Sequence, residues 1–497
     1  MKRSILITGL LFLTYILSAQ YAEDALRYSQ IYYQGTARSM AVGGAFGTLG
    51  GDFSTLSTNP GGIGIYRTSE ILGTLSFTPR KVTSLYNGTV ADNNSFVMSF
   101  NNFGYVNAKR IGRGGKGWKY FQFALGMNRL NNFNTNTFTQ GINNKSSRID
   151  AYLDEALDYL DGGGDLDNLT NYDPFYIGPA WETYLLDTLT FDGTTYLVSP
   201  VPPGGLMQSQ AVETHGSTNE WFVSAGANFN DILYIGATLG LPYTRYLRTT
   251  TYFETDIADT IATFDNWSVT EDLYTRGMGV NFKIGAIVRP VDWLRIGAAF
   301  HTPTYYWGMR DTWSTYTTSD VFALSTDAWV TPDFDNYASV IGEYKYKLTT
   351  PMRIIGDLGI VIKEIGFISG EYEYVNYTSA KFKANDYDFY NENQDIKTYF
   401  KATHNFRVGT EWRVSRISFR GGYALYASPY KNNLNDGSRQ SYSGGLGYRG
   451  DNFALDVAYV YSKSSEDYYL YIYDDMNPVK NKLSESSIVL TFKYLFK

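Results

Sequence analysis

The side chains able to do acid–base or nucleophilic chemistry are few and scattered. Three histidines (His215, His301 and His404) and no cysteine occur in 497 residues, which excludes thiol catalysis, disulfides and Cys-based metal sites. A serine hydrolase needs a base within reach of its nucleophile, and no Gly-x-Ser-x-Gly stretch is present. Acidic residues crowd one stretch (Asp150, Asp154, Glu155, Asp158, Asp161, Asp165 and Asp167), but their spacing fits no dedicated calcium loop and reads as a solvated face. The sequence therefore predicts no enzyme, no bound metal and no cofactor.

A second set of charges has a more telling placement. Arg295, Asp357, Glu371, Glu373, Glu411, Arg413, Arg420 and Asp456 each lie within a few residues of a tight-turn signal, on the polar side of segments that alternate apolar and polar. If Ser415 and Arg416 form a two-residue hairpin turn, Val414 pairs with Ile417 and Glu411 falls opposite Arg420. A mixed-sign ion-pair network is expected. Either its members satisfy one another and dock an inner segment, or an arginine among them steers an anionic group.

Strands must position these charges. About fourteen alternating segments run along the chain, the period expected when successive side chains point to opposite faces. In one, Phe453, Leu455, Val457, Tyr459 and Tyr461 share a face, opposite Ala454, Asp456, Ala458 and Val460; in another, Phe406, Val408, Thr410, Trp412 and Val414 stand opposite Arg407, Gly409, Glu411 and Arg413. Tight connections are read at residues 110–116, 230–231, 290–291, 363–364, 415–416 and 450–451, with the two chain ends as a seventh short side. Longer polar connections are read at 86–92, 134–218, 253–266, 314–342, 383–397, 428–437 and 465–483. Short turns alternating with long loops, and an even strand number, are what a barrel in lipid requires, because every backbone group there must pair around a closed ring. The predicted fold is all-β, a transmembrane antiparallel β-barrel of about fourteen strands, rather than a soluble sandwich or propeller.

Composition agrees. Tyr 44, Phe 30 and Trp 9 make 17% of the chain aromatic, which suits strands and interfacial girdles. A mean hydropathy of −0.27 is not decisive, since a polar lumen and polar loops offset the apolar stripe. A net charge of −7 argues against a nucleic-acid partner. Residues 1–19 read as a signal peptide, with Lys2 and Arg3 before an apolar run and Leu17, Ser18 and Ala19 as the cleavage end. The final strand ends in Phe492, Tyr494 and Phe496, an aromatic signal for assembly machinery, and a cell outer-membrane location with lipid and lipopolysaccharide neighbours is expected. The barrel is assigned to residues 70–497 and expected to be monomeric. Within the long loop 134–218, Ile149, Leu153, Ala156, Leu157 and Leu160 at helical spacing predict a helix over 146–160.

Residues 20–69 are neither strand nor ordinary linker. They are dense in glycine and small residues, including Gly43, Gly44 and the run Asn59, Pro60, Gly61, Gly62, with Asp52 between; small residues allow close backbone packing in a narrow lumen. Here the chain resembles the OMPP1/FadL/TodX family of outer-membrane transporters for hydrophobic compounds, in its Bacteroidetes branch. Asn59-Pro60-Gly61-Gly62 is similar to that family's Asn-Pro-Ala-Gly hatch motif, with glycine in place of alanine. The resemblance implies an N-terminal hatch plugging a fourteen-stranded barrel and passive uptake of a hydrophobic small molecule such as a long-chain fatty acid. It also implies lateral exit through a kink in the third strand, for which Gly126 and Asn128 are the candidates. The alternatives are a structural or adhesive barrel whose plug never opens, and a haem or hydrophilic-solute porin; for haem, His215 in the long loop is the tempting ligand, while His301 is read as a hydrogen-bonded packing residue.

Overall fold

The computed structural model describes residues 22–112, 116–331, 336–432, 434–473 and 476–496. The signal-peptide reading of residues 1–19 falls outside them. Fourteen antiparallel strands form the wall. The first seven are Ser69–Tyr86, Thr89–Arg110, Trp118–Asn132 continued by Thr135–Asn143, Leu206–Phe229, Leu233–Thr255, Phe264–Val291, and Leu294–His301 continued by Tyr305–Ala323. The last seven are Gly342–Thr349 continued by Arg353–Ile362, Gly366–Asn376, Ala402–Val414, Ile417–Tyr426, Arg439–Arg449, Phe453–Tyr468 and Val479–Phe496. Pairing of the first strand with the fourteenth, from Ser69↔Phe496 to Leu85↔Lys480, closes the ring and leaves no terminal edge.

The alternation of the sequence becomes the two faces of the wall. Ile488, Leu490, Phe492, Tyr494 and Phe496 are exposed outward, while Val489, Thr491 and Lys493 between them are buried inward. The same holds for Phe453 to Tyr461 and for Phe406, Val408 and Trp412 against Arg407 and Glu411. An outer belt this apolar has lipid, not water, as its matching solvent. Among the described residues no helix is long and apolar enough to cross a membrane.

Several connections differ from the sequence reading. Residues 86–92 are no loop: the first two strands meet at a tight turn, Asn87 and Gly88, both with positive φ (45° and 86°) as a type I′ hairpin needs. Likewise Val291 belongs to the sixth strand and the turn follows it, because Pro290 sits where the register skips between Leu294 and Ile296, a place where a missing N–H breaks no ladder bond. The long insertion narrows to residues 144–205, since Thr135–Asn143 and Leu206–Phe229 run as paired strands beyond the apolar belt. Outward residues there, Glu213 and His215 among them, are polar, so the alternation that marks the strands lower down is absent. This moves His215 out of the loop and onto the outward face of the fourth strand.

The insertion forms a cap over the loop end. Its helix α4 (Arg148–Asp161) starts with a capping box in which Ser147 and Asp150 each bond the other's backbone N–H, which satisfies two orphan donors. Ile149, Tyr152 and Ala156 pack into a core with Leu185, Leu206, Tyr252 and Trp267. Phe175, Tyr176, Trp181 and Tyr184, from the same insertion, pack into or against the barrel mouth.

Candidate functional site

The chain before the first strand lies inside the barrel. It carries three short helices, here α1 (Ala22–Ser29), α2 (Ala37–Ala41) and α3 (Thr55–Thr58), and a 3-10 turn, Pro60–Ile65. Capping residues start two of these: Thr36 accepts from Ser39 N, and Asn59 accepts from Gly61 N with Pro60 following as the first residue of its turn. Small residues fit it to the wall. Gly43 and Gly44 have φ of 66° and 79°, and a Cβ on Gly43 would stand 2.8 Å from the Tyr423 carbonyl. On Gly61 it would stand 2.9 Å from Ala286 Cα, and on Gly62 2.5 Å from Thr55 Oγ1.

The expected charge network is formed around Glu411, with the plug as part of it, while Arg295 and Asp357 make no ion pair among the described residues. Glu411 lies in register with Arg420, and Val414 with Ile417. Arg420 Nε is 2.6 Å from Glu411 and its Nη1 2.7 Å from Asp456; Arg38, on α2, adds a two-pronged bond to Glu411 at 2.8 and 2.9 Å. Arg413 reaches Glu411 at 3.2 Å from the open mouth. Asp357 accepts from Asn59 Nδ2 at 2.8 Å, Glu371 from Gly47 N at 3.2 Å, and Arg295 donates to Leu49 O at 2.8 Å. Of the predicted residues, Glu411, Asp357, Glu371, Glu373 and Arg295 bond the plug, Arg413 and Arg420 bond Glu411, and Asp456 bonds Arg420. The hatch and lumen residues picked from sequence form one contact surface.

Other members were not picked out. Arg407 is fully buried between Glu371 (2.9 Å) and Glu373 (3.1 Å), and Glu373 also holds Arg353 at 3.0 Å. Lys283 pairs with Glu220, which also accepts from Ser57 on the plug. Lys493 holds Asp52 at 2.8 Å, and Thr36 donates to the same carboxylate at 2.8 Å. Burial pushes the Asp52 carboxyl up, but the Lys493 ammonium outweighs it and holds the group down at about 2. Lys493 carried a signal, being a cation on the inner face of an otherwise apolar-faced strand. Glu220 and Lys283 meet across an intervening strand, which no local pattern reveals.

Among the described residues the wall is interrupted between the second and third strands. Pairing between the second and third strands stops at Asn102↔Asn128, and beyond it the third strand pairs with the fourth, while residues 89–101 pair with the first. Gly126 lies just below the break: a Cβ there would be 2.3 Å from Phe103 O and 2.6 Å from the ring of Phe53 in the plug. Asn128 donates to Ser57 Oγ at 2.7 Å. Asn102, opposite it, is buried with neither amide atom bonded. The plug also covers the third strand's edge above the break, with Gln34 in a bridge to Arg129 and Tyr32 N donating to Leu130 O at 3.0 Å. Beside this edge lies a chamber lined by Tyr32, Gln34, Asn101, Asn132 and the Arg80–Glu485–Arg439 cluster.

No family model matches the chain, and no curated protein matches it in sequence. Solved structures do. A Pseudomonas aeruginosa FadL homologue aligns over 94% of this chain and 100% of its own, at 12% identity and a TM-score of 0.54. The Pseudomonas putida toluene transporter TodX aligns over 94% and 98%, at 10% identity and a TM-score of 0.53. This chain has the FadL-type barrel fold. At such identities the likeness is one of backbone, which bears out the expected architecture and leaves the cargo to the residues themselves.

The histidines take no part in a catalytic arrangement among the described residues. His301 is buried with Nε2 2.7 Å from Thr58 O of the plug, the packing role expected of it. His404 bonds Tyr372 on the outer face at 2.6 Å.

Proposed function

We propose that this protein is a passive outer-membrane channel for a hydrophobic small molecule, taken up into the lumen beside the plug and released sideways through the break in the wall. The observation that carries the reading is the break itself, because a porin or a purely structural barrel gains nothing from a strand edge bonded to a separate inner segment instead of to the next strand of the wall. Plug and break are also joined: Tyr32 and Gln34 occupy the edge that a departing cargo must pass. A shift of the plug therefore opens lumen and wall together. The unbonded Asn102 amide at the corner of the break supplies a polar partner for a cargo's head group or a water.

Among hydrophobic cargoes the chamber favours one with an anionic end. Arg80 and Arg439 share the single carboxylate of Glu485, leaving one positive charge in excess, and Ser76, Thr78, Ser441 and Ser487 add hydroxyls around it. A long-chain fatty acid matches that lining better than a bare aromatic hydrocarbon. The test is flux of labelled oleate against glucose through the refolded protein in asymmetric vesicles with a lipopolysaccharide outer leaflet. Oleate above the empty-vesicle control with glucose at background supports the channel; glucose flux makes it an open porin, and neither makes it a structural barrel.

A further inference from the structure

The outward face carries an arrangement of charge that the transport path does not use. Arg245 on the fifth strand lies in register with Arg276 on the sixth, Arg276 with Arg310 on the seventh, and Arg310 with Lys345 on the eighth. All four side chains point out of the barrel, because Tyr246, Thr275, Asp311 and Tyr346 beside them are buried inward. With neighbouring strands about 4.8 Å apart, the row spans roughly 14 Å. Just below it, at the next outward positions, stand Tyr243, Met278 and Trp307, the upper edge of the apolar belt.

Like charges directly opposite each other on paired strands repel, and little in the protein offsets this row. Glu343 pairs with Arg310 and stands 3.9 Å from Lys345. Asp272, four residues from Arg276, accepts from Thr249. Arg245 and Arg276 have no carboxylate partner among the described residues, and a second cationic pair, Lys347↔Lys383, extends the patch. A repulsive row kept at the rim of a lipid-facing belt needs an anion from outside the chain. Arginine forks match phosphate, and the aromatic and thioether side chains below match acyl chains.

We propose that this row binds the phosphates of an outer-leaflet phosphoglycolipid of the lipid A type, its acyl chains lying down the belt along strands five to eight. The inference rests on the membrane reading of the barrel and not on the nature of its cargo. The test uses the full mature chain in a zwitterionic detergent, with bisphosphorylated lipid A and its dephosphorylated form as probes, read by native mass spectrometry and by thermal shift. Wild type should bind the bisphosphorylated lipid and gain thermal stability from it; Arg245→Gln/Arg276→Gln should bind at least tenfold more weakly and gain none. Without lipid the double variant should melt no lower than wild type, since a repulsion has been removed, whereas Lys109→Gln/Arg416→Gln at the opposite rim should bind as wild type does. Equal binding by the double variant, or equal binding of dephosphorylated lipid, overturns the proposal. Oleate flux measured on the same variants separates the two readings: flux retained with lipid binding unchanged sinks this one, and lipid binding lost on substitution with no flux in wild type sinks the transporter alone.

Discussion

The two halves of the lumen are built on opposite rules. Around the plug and toward the turn end, buried charge is matched: Arg407 sits between two glutamates, Arg420 and Arg38 share Glu411, and Lys493 holds Asp52. Beside the break in the wall the pattern reverses, with a strand edge covered by the plug instead of a strand and an asparagine amide left without a partner. One region is fastened by charge and the other by a few backbone bonds. A buried pair that loses one member leaves an uncompensated charge, whereas a few backbone bonds to Tyr32 and Gln34 are cheap to exchange for water.

The largest expected effect breaks the fastened half outright. Deleting residues 20–59 removes the plug, and single-channel conductance to small ions should rise on the order of tenfold toward that of an open porin lumen; unchanged conductance would show that the segment does not seal the barrel. Next, Arg407→Met strands Glu371 and leaves Glu373 with Arg353 alone, and should cost roughly 3–5 kcal/mol of folding stability, measured by urea unfolding from detergent, while Arg413→Met at the open mouth should cost little. The break is tested by Gly126→Val, whose side chain must displace Phe103 O or the Phe53 ring. Oleate flux should fall several-fold with barrel folding retained on heat-modifiability gels, and normal flux would place the exit elsewhere.

Two pH effects are smaller and have opposite signs. Asp52 is held at about 2 by Lys493, below its unfolded value. Its contribution to plug docking is therefore full above about pH 4 and lost as pH falls toward 2. Leak conductance should rise over that window in wild type and be flat in Asp52→Asn. Glu155 on the cap helix is raised to about 7, first by burial and then by the nearby Asp173 carboxylate. Ionising it costs stability, so the cap should loosen as pH climbs from about 4.5 to 7. Amide exchange in residues 148–182 should speed up across that range, and Glu155→Gln should abolish the dependence.

Where lipid meets the wall, the fold was legible because two solvents impose a period of two: Phe492 and Tyr494 face out and Lys493 faces in for the same reason at every such strand. The Glu411–Arg420 pair was legible too, since a two-residue turn leaves one register. Beyond the belt that logic fails. Thr135–Asn143 read as loop because no apolar stripe marks it, whereas the hairpin at Asn87 and Gly88, flanked by the outward Leu85 and Val90, carried an Asn-Gly turn signal that the loop reading passed over. The hatch motif Asn59–Gly62 was visible as composition, but that Asn59 bonds Asp357 was not.

The sequence by itself determined a closed antiparallel barrel, its strand number, the sidedness of its turns and the small-residue plug, because these follow from local alternation and turn chemistry. Tertiary structure decided which charges meet, where the wall stops pairing and which cations line up on its outer face. Those depend on register summed around fourteen strands and on how a plug of glycine and short helices settles inside them, neither of which is encoded in any one stretch of residues.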